Sequence, residues 1–230
     1  MKTILTISVA LLLSCVAAQA QNTFFPTKQG MSMLYEHQDA KGKAKSYTRH
    51  TIKNVTGSGL NLTISYAMEL LDKKMKPKSN PNSEIQCTVV IKNGVVILDM
   101  NRMFIDQMKT SNLKADFTGV PMELPGNLQA GQSLKDANMT MTVDAGIFKM
   151  RTDIKMTDGK CEAIEPVTVR AGTFTCHKIT QTVTTTVLGK NVHATTISWY
   201  APNIGTIKTQ TYNNKNKLTG SLELISIENY

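Results

Sequence analysis

The side chains with which this chain could transfer protons, attack a carbon or hold a metal are four histidines, His37, His50, His177 and His193, and a few cysteines. Their spacing supports none of these chemistries. There is no His-x-x-x-His, no His-Glu-x-x-His and no Cys/His spacing that would cage zinc. His177 adjoins Cys176, but consecutive residues of a strand face opposite sides, so the two cannot form a thiol–imidazole pair. A Gly-x-Ser-x-Gly elbow, a glycine-rich phosphate loop and a calcium loop are all missing. A carboxylate pair of the glycoside-hydrolase kind could still assemble in space, so a hydrolase is the third and last reading. The expectation is a protein that is not an enzyme, with no catalytic residues, no metal and no cofactor.

The amino terminus bears on the compartment. Lys2 supplies a positive start, Ile4 to Leu13 an apolar core, and Ala18-Gln19-Ala20 a small-x-small cleavage site, which together predict a signal peptide over residues 1–20. The apolar run falls short of the ~20 residues of a membrane helix, and no later stretch reaches that length, so no transmembrane span is expected. Leu12-Leu13-Ser14-Cys15 resembles a lipobox, although Leu13 stands where a smaller residue is preferred. Cleavage after Ala20, giving a periplasmic or secreted protein, is the favoured expectation. An outer-membrane lipoprotein anchored through Cys15 is the alternative.

Three cysteines follow the leader, Cys87, Cys161 and Cys176. An oxidising compartment allows one disulfide among them, and Cys161 with Cys176, close in sequence and flanking a turn, is the expected pair. They are not symmetric about Arg170-Ala171-Gly172, which argues against directly opposed pairing. The missing Cys-x-x-Cys argues against a thioredoxin-like role.

The chain carries a formal charge of +9, and loss of Lys2 leaves 25 basic against 17 acidic residues, or +8. The excess gathers in loops: Lys41, Lys43 and Lys45, then Lys73, Lys74, Lys76 and Lys78 ahead of Ser79, Asn80 and Pro81. Such runs attract anionic headgroups or polyanions. Without arginine or interleaved aromatics, the simpler reading is a solvated turn. Nucleic acid is not expected as a partner, whereas a lipid or other amphiphile, or an envelope protein, is.

The elements that would position any site are strands. Residues 21–230 carry no linker or fixed repeat and read as one domain. Leu62, Ile64 and Tyr66 alternate onto one face, and Asn93-Gly94 marks a hairpin between Glu84–Val90 and Val95–Leu98. Further strands are predicted over Met31–Tyr35, Lys45–Val55, Asn138–Val143 and Ile147–Met156, with a turn at Thr157-Asp158-Gly159 before Cys161–Val169. Residues 116–131 read as a connection across the sheet. From Thr173 to Tyr212 runs a meander rich in Thr, Val and Ile. Within it Phe174 and Cys176 share one parity while Ile179, Val183 and Val187 share the other, which predicts a bulge near His177-Lys178. Leu218 to Ile227 is too apolar on both parities for an exposed edge. One short helix is predicted after Asp99, placing Met100, Met103, Phe104 and Met108 at helical spacing. The fold class is therefore all-β with minor α: a curved antiparallel sheet forming a half-barrel or open barrel, one short helix on or near its concave face.

Val167-Thr168-Val169-Arg170-Ala171-Gly172-Thr173-Phe174 and Trp199-Tyr200-Ala201-Pro202-Asn203-Ile204-Gly205-Thr206-Ile207-Lys208 resemble segments of the TapB-like family of exported Gram-negative proteins, a domain of unknown function. Leu124-Pro125 and Gly131-Gln132-Ser133-Leu134-Lys135-Asp136 are similar to the same set. The resemblance implies a lipoprotein-carrier-like half-barrel whose concave face holds acyl chains. Met103, Phe104, Met108, Phe174, Trp199 and Tyr200 are the residues expected to line it. Trp199 and Tyr200, at a strand end before Pro202, also read as packing that plugs the sheet. Methionine suits an adaptable lining, although at helical spacing it is more often core.

The leading expectation is a non-enzymatic envelope protein that binds a hydrophobic or amphiphilic ligand in the concave face. The alternative is a structural or interaction module with a filled core. An apolar pocket of roughly 300 Å³ or more would favour the first, and a filled interior with an exposed apolar patch the second.

Overall fold

The computed structural model describes residues 22–78, 84–99, 114–144, 146 and 149–230. Runs rich in β-branched residues, separated by Gly, Asn and Asp, form antiparallel hairpins because the side chains pack on a pleated surface and the spacers adopt positive φ. The strands are β1 (Ser32–Asp39), β2 (Ala44–Ser58), β3 (Asn61–Leu71), β4 (Glu84–Lys92), β5 (Val95–Leu98), β6 (Lys114–Val120), β7 (Met122–Pro125), β8 (Ala137–Asp144), β9 (Lys149–Val169), β10 (Gly172–Val187), β11 (Lys190–Ala201), β12 (Gly205–Asn213) and β13 (Leu218–Glu228). No helix occurs among the described residues. The predicted helix, with Met103, Phe104 and Met108, falls outside them.

All the strands join one antiparallel sheet in the order β6-β8-β9-β10-β11-β12-β13-β1-β2-β3-β4-β5-β7. Its two end strands are successive in sequence. β6 pairs with β8 and β7 pairs with β5, and only Pro121 separates them. One extended stretch, 114–125, thus bonds to both ends of the sheet and draws it into a nearly closed barrel. Proline lacks the N–H a ladder requires, so it suits the point where the chain exchanges one partner for the other. Residues 116–131, expected to be a connection, supply this closing strand instead.

The expected turn at Thr157–Gly159 is also corrected, for β9 runs straight through it. Asp158 takes φ 55°, and the β9–β10 register slips between Thr180 and Thr182. Asp-Gly serves a bulge here, since a bulge and a tight turn need the same left-handed residue. A second slip, between Lys178 and Ile179, falls where the bulge near His177-Lys178 was predicted. Its extra residue is Glu162 of β9, whereas the β10–β11 register is unbroken there. Beyond Met156, where β8 ends, β9 is bonded by the loop before β8: Gly131 N–H donates to the Cys161 carbonyl at 2.7 Å and Leu134 N–H to that of Gly159 at 2.7 Å.

Antiparallel alternation sends the turns after β1, β3, β8, β10 and β12 to one rim and those after β2, β4, β9 and β11 to the other. The core lies toward the second rim, where Ile64, Val96, Leu124, Ile207 and Leu224 are fully buried. The amino-terminal stretch helps to fill it. Asn203 N–H donates to the Thr23 carbonyl at 2.6 Å, and Phe24 is buried. A Cβ on Gly126 would stand 2.0 Å from the Asn22 carbonyl oxygen, so only glycine admits this stretch. Toward the first rim, β10 from Thr182 to Val187 is half-buried throughout, and the barrel is open there.

Candidate functional site

Three neighbouring strands bring three rings together inside the barrel. Tyr35 on β1 lies 5.0 Å, centroid to centroid, from His50 on β2, and His50 lies 5.6 Å from Tyr66 on β3. Phe25 extends the row, 5.4 Å from Tyr66. Around these rings is a cavity of about 250 Å³. Met33, Met122, Met139 and Met156 line it, together with Tyr200 and Leu222. It lies beside the seam, for Leu98 and Asp99 bound it on one side of Pro121 and Ala137 and Asn138 on the other.

The cavity is mostly apolar. No lysine or arginine is among its described lining residues, and Asp99 is the only carboxylate. Burial lowers the His50 imidazole to about 4, with a smaller contribution from His37, so it is neutral near neutral pH. Burial likewise pushes the phenols of Tyr35, Tyr66 and Tyr200 up, and they stay protonated. Tyr35 donates to the Met33 sulfur at 3.7 Å. The wall therefore offers flexible thioether surface with a few neutral hydrogen-bonding groups, which suits an apolar chain better than an anion. Its volume lies somewhat under the ~300 Å³ at which sites for drug-sized ligands begin. Among the described residues, no cluster of His, Cys, Asp and Glu could hold a metal ion.

Of the residues predicted to line a ligand, Tyr200 reaches the cavity. Met103, Phe104 and Met108 are outside the described residues. Trp199 and Phe174 belong to the outer face. The register runs Lys178, Trp199, Lys208, Glu223, Glu36 across β10 to β1, on the side away from Tyr200 and Tyr35. Trp199 is nonetheless buried, because the β9–β10 hairpin folds back over this outer wall, where β9 touches β12 and β13. Its indole N–H donates to Glu165 of β9 at 2.8 Å, and Lys178 and Lys208 stand over the ring at 5.7 and 5.9 Å. Arg170, at the hairpin tip, pairs with Glu36 of β1 and lies 4.0 Å from Glu223 of β13. The Arg170 bond is the largest influence holding the Glu36 carboxyl below its ordinary range.

The disulfide is a correction. Cys87, Cys161 and Cys176 are all buried, and no disulfide joins any two of them. Cys161 stands opposite Ile179 and Cys176 opposite Glu165, which separates the pair by ~10 Å along the strands, beyond the reach of a disulfide. Sequence reasoning also missed the lining methionines and the Tyr35–His50–Tyr66 row. Both sit on strands, and only the parity of each strand, read together with its neighbours, could have shown them on one face.

Residues 28–224 match the family model described as DUF3108-like. The chain belongs to the DUF3108-like family. A search of curated proteins finds no match. Two crystal structures share the fold of this DUF3108-like chain. A predicted exported protein with a YmcC-like fold from Bacteroides fragilis NCTC 9343 is 19% identical, with a TM-score of 0.70. A predicted lipoprotein from Parabacteroides distasonis ATCC 8503 is 19% identical, with a TM-score of 0.73. In each case the similarity covers 90% of this chain and 99% of the other.

Proposed function

We propose that this DUF3108-like protein is an exported, non-enzymatic envelope protein that takes the apolar part of an amphiphile into its barrel. The observation that carries the reading is the cavity, with its four methionine walls and neutral Tyr and His groups. A narrow apolar space with no cation among its described lining residues favours a hydrocarbon tail and leaves a charged head outside. Among the described lining residues Asp99 is the single carboxylate, and one carboxylate supplies no acid–base pair for hydrolysis. The signal-like amino terminus supports export, and the exported protein and lipoprotein that share the fold agree with that compartment.

The test is titration of the chain, expressed from residue 21, with dansyl-undecanoic acid. A saturable rise in dansyl fluorescence, displaced by oleate, is expected. Val120→Trp, at the half-exposed edge of the cavity, and Met139→Trp, within it, should abolish the rise while leaving the far-ultraviolet dichroism unchanged. Folded wild-type chain that gives no saturable signal would end the proposal in favour of an interaction module.

A further inference from the structure

Three hairpins at the open rim are built the same way. After β1 the Asp39 carboxylate accepts the N–H groups of Lys41 and Lys43 at 2.9 and 3.0 Å. Following β3, Asp72 accepts those of Lys74 and Lys76 at 2.7 and 3.0 Å. At the end of β12 the side-chain oxygen of Asn213 accepts those of Lys215 and Lys217 at 2.9 and 3.1 Å. In each, the residue between the two lysines takes a positive φ: Gly42 at 74°, Met75 at 60° and Asn216 at 54°. The sequence form is Asx-x-Lys-x-Lys, and each turn spends its Asx side chain on the backbone while presenting two exposed lysines.

The described residues of this rim carry a basic excess, although Glu84, Asp99, Asp144 and Asp153 also stand toward it, the last two paired with Lys149 and Arg151 at 3.6 and 2.9 Å. Asp39 and Asp72 are occupied by turn N–H groups, and only Lys45 pairs with Asp39, at 3.0 Å. Asn213 brings no charge at all. Lys73, Lys78 and Lys190 add to the same rim, and none of them forms an ion pair among the described residues. At the opposite rim, Lys28, Lys92, Lys135 and Arg170 are interleaved with Glu123, Asp136 and Glu228.

Apolar side chains accompany the lysines. Leu188 is 79% exposed at the tip of the β10–β11 hairpin, at φ 50°, a position that favours Asn or Gly. Val192, on the same hairpin, is 63% exposed, and Met75 stands exposed between Lys74 and Lys76. Core packing explains none of the three.

We propose that this rim is a docking face for an anionic lipid surface. Lysine, a hydrated point charge, suits diffuse attraction to headgroups, whereas paired or stacked recognition of a single polyanion would call for arginine or aromatic residues. Leu188, Val192 and Met75 enter the headgroup layer. Docking is independent of the cavity, because it rests on turns that do not line it.

The experiment is cosedimentation of the chain, expressed from residue 21 so that the leader cannot bind lipid, with phosphatidylglycerol-containing or pure phosphatidylcholine vesicles. Binding to the anionic vesicles alone, weakening as salt rises, is expected. Replacing a pair of turn lysines, as in Lys74→Gln with Lys76→Gln or Lys215→Gln with Lys217→Gln, should lower the partition coefficient about thirtyfold, the factor for ~1 kcal/mol per basic residue. The turns keep their backbone bonds in these variants, so the fold is retained. Leu188→Ser with Val192→Ser should weaken binding without changing its salt slope, and Lys92→Gln with Lys135→Gln should change nothing. Equal binding to neutral vesicles, equal losses from the two rims, or binding to heparin beads without binding to vesicles would each overturn the proposal. None of these outcomes depends on fatty-acid uptake.

Discussion

His50 shows how a single residue records its surroundings. Its ring stands between two tyrosines, and burial lowers it from 6.5 to about 4. In the unfolded chain the imidazole binds a proton below 6.5, while in the fold it stays neutral, so stability falls as pH drops from 6.5 toward 4. Burial depresses His37 and His177 in the same direction. Urea unfolding near neutrality and again just above pH 4.5 should show it, and His50→Gln should remove on the order of 2–3 kcal/mol of the difference. An unchanged pH dependence in the variant would count against a buried neutral His50. The cysteines make a second residue-scale case, in which burial pushes the Cys176 thiol up to about 12 and that of Cys161 up as well. A thiol reagent should find none of Cys87, Cys161 and Cys176 in the folded chain and all three in guanidinium. A mass lower by two hydrogens before reduction would restore the disulfide. The types of these residues were legible in the sequence, but their protonation and pairing were not, because both depend on which strands face them.

At the scale of elements, the β9–β10 hairpin was legible in part. The parity change along β10 was visible, and a bulge follows it closely. The larger cause is that one strand is buried on two different faces: Ile179 points inward, while Cys176 and Phe174 face the outer wall beneath which Trp199 lies. Arg170 fastens the hairpin tip through Glu36, which also accepts a bond from Gln38 at 2.7 Å. Arg170→Met leaves that buried carboxylate short of its strongest partner and should cost on the order of 1–3 kcal/mol in chemical unfolding. Loosening the tip should also expose the chain's single tryptophan, seen as stronger acrylamide quenching and a red-shifted emission. Quenching that matches the wild type would mean that the hairpin does not rely on Arg170. The predicted turn at Thr157–Gly159 failed for a local reason. Asp-Gly permits a left-handed residue but does not say whether the chain then reverses or continues.

For the molecule as a whole, closure and polarity are the two properties that matter. The barrel closes because residues 114–125 pair with β8 before Pro121 and with β5 after it, an arrangement with no signature in the segment's own composition. The same alternation of strands gathers the Asx-x-Lys-x-Lys turns, 39–43, 72–76 and 213–217, on one rim, although the last is far from the others in sequence. Lysine runs that read singly as solvated turns become a common surface in this way, the surface on which the vesicle experiment bears. The sequence by itself determined the antiparallel β class, the Asn93-Gly94 hairpin, the paired last strand and the basic charge, because each follows from local propensity, parity or composition. Only the tertiary structure decided which methionines and rings meet in the cavity, that Trp199 lies outside it, that the thiols stay apart and that the lysines share a rim. Those outcomes depend on strand order and register, which long-range pairing sets and no short window of residues contains.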